Sequence, residues 1–135
     1  MALVTWSDEY LLNIEEIDLQ HKKLILIAQE LYEVTQGSLE DYKLNMSKIV
    51  KKLTDYTIYH FNHEEFFMKN YGYELADFHK TQHDNFVREI TSQIEKLDTA
   101  NTADGQKFYD YLVKWILNHI ARSDKTWANA IRPKL

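Results

Sequence analysis

The chain has 135 residues, enough for one ordinary domain and too few for a comfortable second one, so we expect a single domain over residues 1–135. Its 3 glycines and 1 proline leave little turn chemistry for a many-stranded β protein, and the absence of cysteine excludes disulfides, thiolate metal sites and a cysteine nucleophile. The formal charge of −5, with lysines scattered along the chain, offers no basic stripe for nucleic acid or for a membrane surface.

The first predicted element is an N-terminal arm. This segment reaches Asp8 and Glu9 before any apolar run of useful length, which is not typical of a secretory signal. Nowhere does the chain approach the run of about 18 apolar residues that a membrane helix needs. We therefore expect a cytoplasmic protein with no membrane partner.

Three tracts rich in Gly, Asn, Asp, Ser or Thr interrupt the rest of the chain, at residues 36–41, 70–77 and 98–105. They leave four segments with helical periodicity, over about 18–36, 41–69, 76–97 and 106–130. Because short connections join antiparallel neighbours, we predict an all-α fold, an up-down-up-down antiparallel four-helix bundle preceded by the arm. An array of helical repeats is the alternative, but it would lack capping units.

Polar side chains lie on the inward faces of these helices, which steps of three and four residues trace. On the second helix the inward line runs through Leu53, Tyr56, His60 and Glu64. Five of the six histidines fall on such lines in four different helices: His21, His60, His79, His83 and His119. In an antiparallel bundle these positions, with Glu64, converge at one end.

Taken singly, each histidine is better explained as a satisfied core histidine or a half-exposed one. Together they resist that explanation, because an unpaired buried polar group costs about 1–3 kcal/mol. A metal cluster would compensate them, and this donor set suits iron, zinc, copper or nickel better than calcium or magnesium. With Asp124, the five nitrogens and two carboxylates exceed the needs of a four-coordinate zinc and fit two bridged metals.

Three residues near these positions have open interpretations. Asp124 lies five residues after His119, a turn of about 140°, so either its carboxylate reaches back, or a π-bulge widens the helix around ARSD, or it is an ordinary solvated aspartate. We expect Glu65, turned about 100° from Glu64, to be solvated. His63 lies either at the solvent edge or beside the site.

As an ordered set, the stretches IDLQHKKL, HFNHEE, HKTQH and HIARSD resemble those of the hemerythrins, in particular the single-domain bacteriohemerythrins. The resemblance covers nearly the whole chain, and no ligand position is substituted. It implies a non-haem di-iron centre, bridged by an oxo or hydroxo group, that binds dioxygen reversibly. It also implies the ligands: His79, His83 and His119 for one iron, His21 and His60 for the other, and Glu64 and Asp124 as bridges.

Reversible binding would require a dry pocket beside the iron that has two histidines. Five helical neighbours of the ligands could form its wall, although each is equally well explained as bundle core: Leu24, Phe61, Trp115, Ile116 and Ile120. We expect storage, transport or delivery of dioxygen, with an oxygen-consuming enzyme as partner in the case of delivery, and no catalytic residues.

Three other functions remain open. The first is a di-iron enzyme that processes oxygen or nitric oxide, and the imidazole-rich set argues against it because fewer carboxylates leave fewer open positions and proton acceptors. The second is an oxygen-sensing module that signals in trans. The third is iron or zinc storage, which a fixed site for only two ions disfavours.

Overall fold

In the computed structural model, which describes residues 2–135, four long helices carry most of the chain. They are α1 (Glu15–Gln36), α2 (Leu39–Asn70), α3 (Ala76–Glu95) and α4 (Thr102–His119). A π-helical turn (Ile120–Asp124) continues α4 into α5 (Lys125–Ile131), and short 3-10 turns lie at Asp8–Tyr10 and Arg132–Lys134. Residues 2–135 contain no strand, which confirms the predicted all-α class.

Several helices begin or end at other residues than predicted, and at two of the helix starts a polar side chain binds the backbone. The helix α1 begins at Glu15, before residue 18, and the Asp18 carboxylate accepts the Leu12 N–H at 2.7 Å in the preceding turn. The helix α4 begins at Thr102, inside the predicted break, because the Asn101 side chain caps it by accepting the Ala103 N–H at 3.0 Å. The helix α3 ends two residues early, at Glu95 instead of 97.

Neighbouring helices run in opposite directions, as the contacts between them show. Lys52 lies 3.0 Å from Glu30, and Gln20 lies 2.7 Å from His60, so positions that rise along α2 meet positions that fall along α1. The helices α2 and α3 show the same reversal through the pairs Phe61–Phe86 and Glu65–His83. The helices α3 and α4 show it through the pairs Phe86–Trp115 and His83–His119. The bundle is therefore up-down-up-down, as predicted.

Two apolar clusters fill the interior. The larger extends along the bundle and includes Leu31, Met46, Leu53, Ile90 and Leu112, all at most 1% exposed. The smaller lies at the end where α2 finishes and α5 begins, and its members are Leu12, Ile14, Ile17, Met68, Ala76, Trp127, Ala128 and Ile131. The predicted ligand residues occupy the layer between these clusters.

The N-terminal arm is held to the bundle at both of its ends. The Val4 N–H donates to the Tyr109 hydroxyl at 2.7 Å, and the Gln29 amide donates to the Val4 carbonyl at 2.9 Å. Near α1, the Arg132 guanidinium donates to the Leu12 carbonyl at 2.8 and 3.0 Å. None of the helices in residues 2–135 combines the length and the apolar run needed to cross a membrane.

Candidate metal centre

All seven predicted ligand residues come together in the layer between the two clusters. Each is buried, with exposed fractions from 0% to 7%: His21, His60, Glu64, His79, His83, His119 and Asp124. They come from α1, α2, α3, α4 and the π-helical turn. The convergence expected from antiparallel helices is therefore present.

Asp124 reaches this layer through the π-helical turn, which settles the open choice between a widened helix and a carboxylate that reaches back. Its carboxylate is fully buried, so it is not an ordinary solvated aspartate. The Oδ1 atom lies 3.2 Å from His119 Nε2 and accepts the Trp127 indole N–H at 3.1 Å. Trp127 belongs to the smaller apolar cluster, so the packing of that cluster fixes the orientation of this carboxylate.

The Glu64 carboxylate divides its two oxygens between two sets of histidines. Its Oε2 lies 3.1 Å from His21 Nε2 and 3.3 Å from His60 Nε2. Its Oε1 lies 3.3 Å from His83 Nε2, on the other side. This carboxylate is therefore placed to join two groups of nitrogen donors.

Asp124 makes the same division, again between a histidine of α1 and a histidine of α3. Its Oδ2 lies 3.2 Å from His21 Nε2, and its Oδ1 lies 3.1 Å from His79 Nε2. The donor atoms thus form two compact groups that share both carboxylates, one with three histidines and one with two. The smaller group holds His21 and His60.

The donor atoms fit a metal better than they fit one another. His119 Nε2 lies 3.0 Å from the Nε2 atoms of both His79 and His83, and one ring nitrogen cannot serve two such neighbours with one proton. Glu64 Oε1 and Asp124 Oδ2 are buried and accept no hydrogen bond from the described residues, an arrangement that costs about 1–3 kcal/mol for each atom. Nitrogen and carboxylate donors in this arrangement match the first-row transition metals.

Protons on the histidines compensate part of the negative charge of the two buried carboxylates in the metal-free protein. Burial lowers the pKa of His21, but the Asp124 and Glu64 carboxylates beside its Nε2 atom outweigh burial and raise that pKa to about 9. Burial also opposes protonation of His83, yet the neighbouring carboxylates raise its pKa to about 9. For His60 burial prevails and lowers the pKa. With the pKa values of His21 and His83 raised, these two histidines hold protons in the space where a metal cation would otherwise lie.

A small cavity adjoins the two-histidine group. Its volume is about 10 Å³, close to the space of one water-sized molecule. All five predicted wall residues line it, on α1, α2, α4 and the π-helical turn: Leu24, Phe61, Trp115, Ile116 and Ile120. Both histidines of the smaller group border it, with His119 and Asp124.

Thr57 also lines this cavity and was not predicted from the sequence. The predicted inward line passed through Tyr56, but Tyr56 is half-buried and Thr57 is fully buried in the cavity wall. The signal was its position three residues before His60, one helical turn away on the same face. Its neighbour Tyr56 is the larger apolar residue, and for that reason it was the simpler choice for a core position.

Comparison with known proteins identifies the family. The family model described as the hemerythrin HHE cation binding domain matches residues 12–131. The chain belongs to the hemerythrin family. A bacteriohemerythrin of Clostridium acetobutylicum is 32% identical to it over 127 residues, which cover 93% of this chain and 98% of that protein.

Two further relatives are also called bacteriohemerythrins. The protein of Methylococcus capsulatus is 32% identical over 133 residues, covering 94% of this chain and 95% of its own. That of Pseudomonas aeruginosa strain PAO1 is 29% identical over 132 residues, covering 98% of this chain and 84% of its own. A metal-binding function of the hemerythrin type therefore accords with the cluster of buried donors.

In this hemerythrin, a chain of hydrogen bonds orients His60 from outside the cluster. The His60 Nδ1–H donates to Gln20 Oε1 at 2.7 Å, and the Gln20 amide donates to His63 Nδ1 at 3.1 Å. The His63 Nε2–H then donates to Glu16 Oε2 at 3.1 Å. His63 is 28% exposed, so it lies beside the site, between the cluster and the solvent.

The prediction that Glu65 is solvated is wrong. Its side chain is only 13% exposed, and its Oε2 accepts the His83 Nδ1–H at 2.9 Å. The rotation away from Glu64 turns Glu65 toward α3, which packs against α2 on that side. Lys80 lies 3.9 Å from its other oxygen. Glu65 thus orients His83 as Gln20 orients His60.

Aromatic rings hold two other faces of the cluster. The Phe61 ring stacks on His83 with 3.7 Å between centroids and 3° between planes. The Trp115 ring stacks on His119 at 4.4 Å and on Phe86 at 3.8 Å. These contacts leave the imidazoles little freedom to rotate, so the donor atoms are positioned before any ligand arrives.

Replacing Gln20 tests whether the hydrogen bond to His60 supports metal binding in this hemerythrin. Gln20→Leu removes the acceptor for His60 Nδ1–H, and we expect the affinity for Co²⁺ or Zn²⁺ to fall by about tenfold. Competition with a chromophoric chelator measures it. Gln29→Leu is the matched control, since Gln29 is on the same helix and its side chain bonds only the arm among residues 2–135. Equal affinities in the two variants would contradict the assigned role.

The pH dependence of the metal-free protein tests the charge balance. The raised pKa values of His21 and His83 mean that protonation of these histidines stabilises the folded state. This contribution is fully present below their unfolded pKa of about 6.5 and is lost as the pH rises through 9. The pKa values of Glu64 and Asp124 are lowered in the folded protein, so these carboxylates contribute stability that is lost only at acid pH, as the pH falls. We therefore expect the chelator-treated protein to lose stability between about pH 6.5 and 9.

Urea unfolding at several pH values measures this change. Metal ions bind neutral imidazole, so the metal-loaded protein should not show the same loss, and the stabilisation by metal should grow with pH. A midpoint for the metal-free protein that is constant or rises across the interval would show that the histidines are not protonated in the folded state.

Proposed function

We propose that this hemerythrin binds dioxygen reversibly at a non-haem di-iron centre held by the seven buried donors. The observation that carries the proposal is the pair of donor groups that share both carboxylates and differ in their number of histidines. In this assignment His79, His83 and His119 hold one ion, His21 and His60 hold the other, and Glu64 and Asp124 bridge them. When bound, ferrous iron supplies the electrons that dioxygen takes up and returns on release.

The position of the cavity supports dioxygen as the ligand. The group with fewer histidines has fewer protein donors, and the cavity lies against both of its histidines, His21 and His60. Its volume of about 10 Å³ leaves space for about one water-sized molecule and not for an organic substrate. A ligand in the cavity therefore lies beside the less crowded group.

The composition of the wall supports binding over conversion. Leu24, Ile116 and Ile120 present hydrocarbon to the cavity, and hydrocarbon excludes the water that would deliver protons. Apart from the proposed ligands, the described residues that line the cavity include no acid or base. We infer that the protein is a carrier and not an enzyme. Storage, transport and delivery to an oxygen-consuming enzyme are all uses of such binding.

Repeated exposure to oxygen tests the proposed function. The protein is loaded with ferrous iron under anaerobic conditions, and its visible spectrum is recorded as oxygen is admitted and then removed. We expect an absorption band that appears and disappears over several cycles with little loss, because the wall excludes protons. Irreversible oxidation in the first cycle, or continuous oxygen consumption with a reductant, would favour an enzyme instead.

The metal stoichiometry of two histidine variants tests the ligand set. His83→Ala removes a donor of the three-histidine group, and we expect it to abolish loading with a second ion. His63→Ala is the control for the number of ions, because His63 belongs to neither donor group; losing its bond to Gln20 should weaken the metal affinity without changing the stoichiometry. Elemental analysis of the loaded variants gives the number of ions per chain. Full loading of the His83 variant would show that the assignment of ligands is wrong.

A further inference from the structure

Thr57 carries a buried hydroxyl that has no partner in the described part of the protein. The residue is 0% exposed, and its Oγ1 makes no hydrogen bond. Four other threonines in the helices donate to the carbonyl four residues earlier, at 2.7 to 3.0 Å, and Thr35 donates to the carbonyl three residues earlier: Thr54, Thr81, Thr91 and Thr126 are the four. Thr57 departs from this pattern, so its hydroxyl remains available to something in the cavity that it lines.

The surroundings of Thr57 make its hydroxyl conspicuous. The other wall residues that are not proposed ligands are aliphatic or aromatic. Thr57 lies one turn before His60 on the same face of α2, so its side chain borders the two-histidine side of the cluster. A leucine or valine would complete this wall at less cost, because an unpaired hydroxyl in an apolar site is unfavourable.

We propose that the Thr57 hydroxyl donates a hydrogen bond to the small ligand that occupies this cavity. A bond from a hydroxyl is strongest when the acceptor carries negative charge. Thr57 therefore favours ligands whose outer atom is anionic or gains negative charge on binding, and it discriminates against ligands of equal size that stay neutral. This inference rests on the proposed function, because it takes the cavity to be the ligand site of the metal centre.

Azide is a suitable probe, since it is a small anion that ferric iron binds. Thr57→Val keeps the shape of the side chain and removes the hydroxyl, whereas Thr57→Ser keeps the hydroxyl. With ferric iron bound, we expect the valine variant to bind azide about tenfold more weakly than the wild type and the serine variant to stay close to it. Spectrophotometric titration gives the affinities. No azide binding by the wild type, or equal affinity in the valine variant, overturns the proposal.

The metal-free protein supplies a second measurement that separates ligand binding from a structural role. If Thr57 holds no structural hydrogen bond, valine should leave the urea midpoint unchanged or raise it, because it removes an unpaired buried hydroxyl. A lower midpoint for valine than for serine would show that the hydroxyl stabilises the helix instead, and it would overturn the assignment.

These outcomes are distinguishable from failure of the proposed function. A wild-type protein that oxidises irreversibly in oxygen, but whose azide affinity depends on Thr57, would refute reversible binding and leave the role of Thr57 standing. Reversible oxygen cycles together with azide affinities that do not change would refute only the role of Thr57.

Discussion

The structure depends on the burial of two carboxylates and five imidazoles in a layer of the bundle with apolar packing on both sides. Such groups cannot leave water without compensation, since a buried charge costs several kcal/mol, about the stability of a whole domain. Part of the compensation is internal, because Glu64 and Asp124 each contact histidines from different helices. The remainder requires charge between the donors, which protons supply in part and a metal pair would supply fully.

The packing on both sides of this layer gives the site its rigidity. The larger cluster supplies the rings that stack on His83 and His119, and the smaller cluster supplies the indole N–H that holds Asp124. The π-helical turn lies between these two clusters and carries Asp124 into the layer of donors. An unbroken α-helix would point residue 124 away from His119, whereas the wider turn places both side chains in the same layer. The less favourable hydrogen bonding of that turn is thus the consequence of placing a carboxylate that both donor groups share.

The sequence predicted what helical periodicity and antiparallel order determine. Six of the seven donors recur at helical spacing, and alternating helix directions bring such positions to one end, so both the bundle and their convergence could be predicted. Asp124, five residues after His119, joins them through the π-helical turn, which spacing alone left open. The contacts of Gln20 and Glu65 could not be predicted, because each bonds a histidine of another helix and depends on how neighbouring helices are rotated. Thr57 was missed for a related reason. Periodicity places it and Tyr56 at adjacent positions, and only the packing decides which of them faces inward.

The sources of the donors also connect metal binding with the stability of the fold. The proposed ligands come from α1, α2, α3, α4 and the π-helical turn, so a bound metal pair would join every long helix at one end of the bundle. The unfolded chain has no such preformed site, and the free energy of metal binding is then added to that of folding. The wall of the cavity is made of the same helices, so the cross-link that stabilises the bundle would also keep Leu24, Phe61 and Ile116 closed around the ligand. A dry binding site and a stable bundle would in this way have one physical origin.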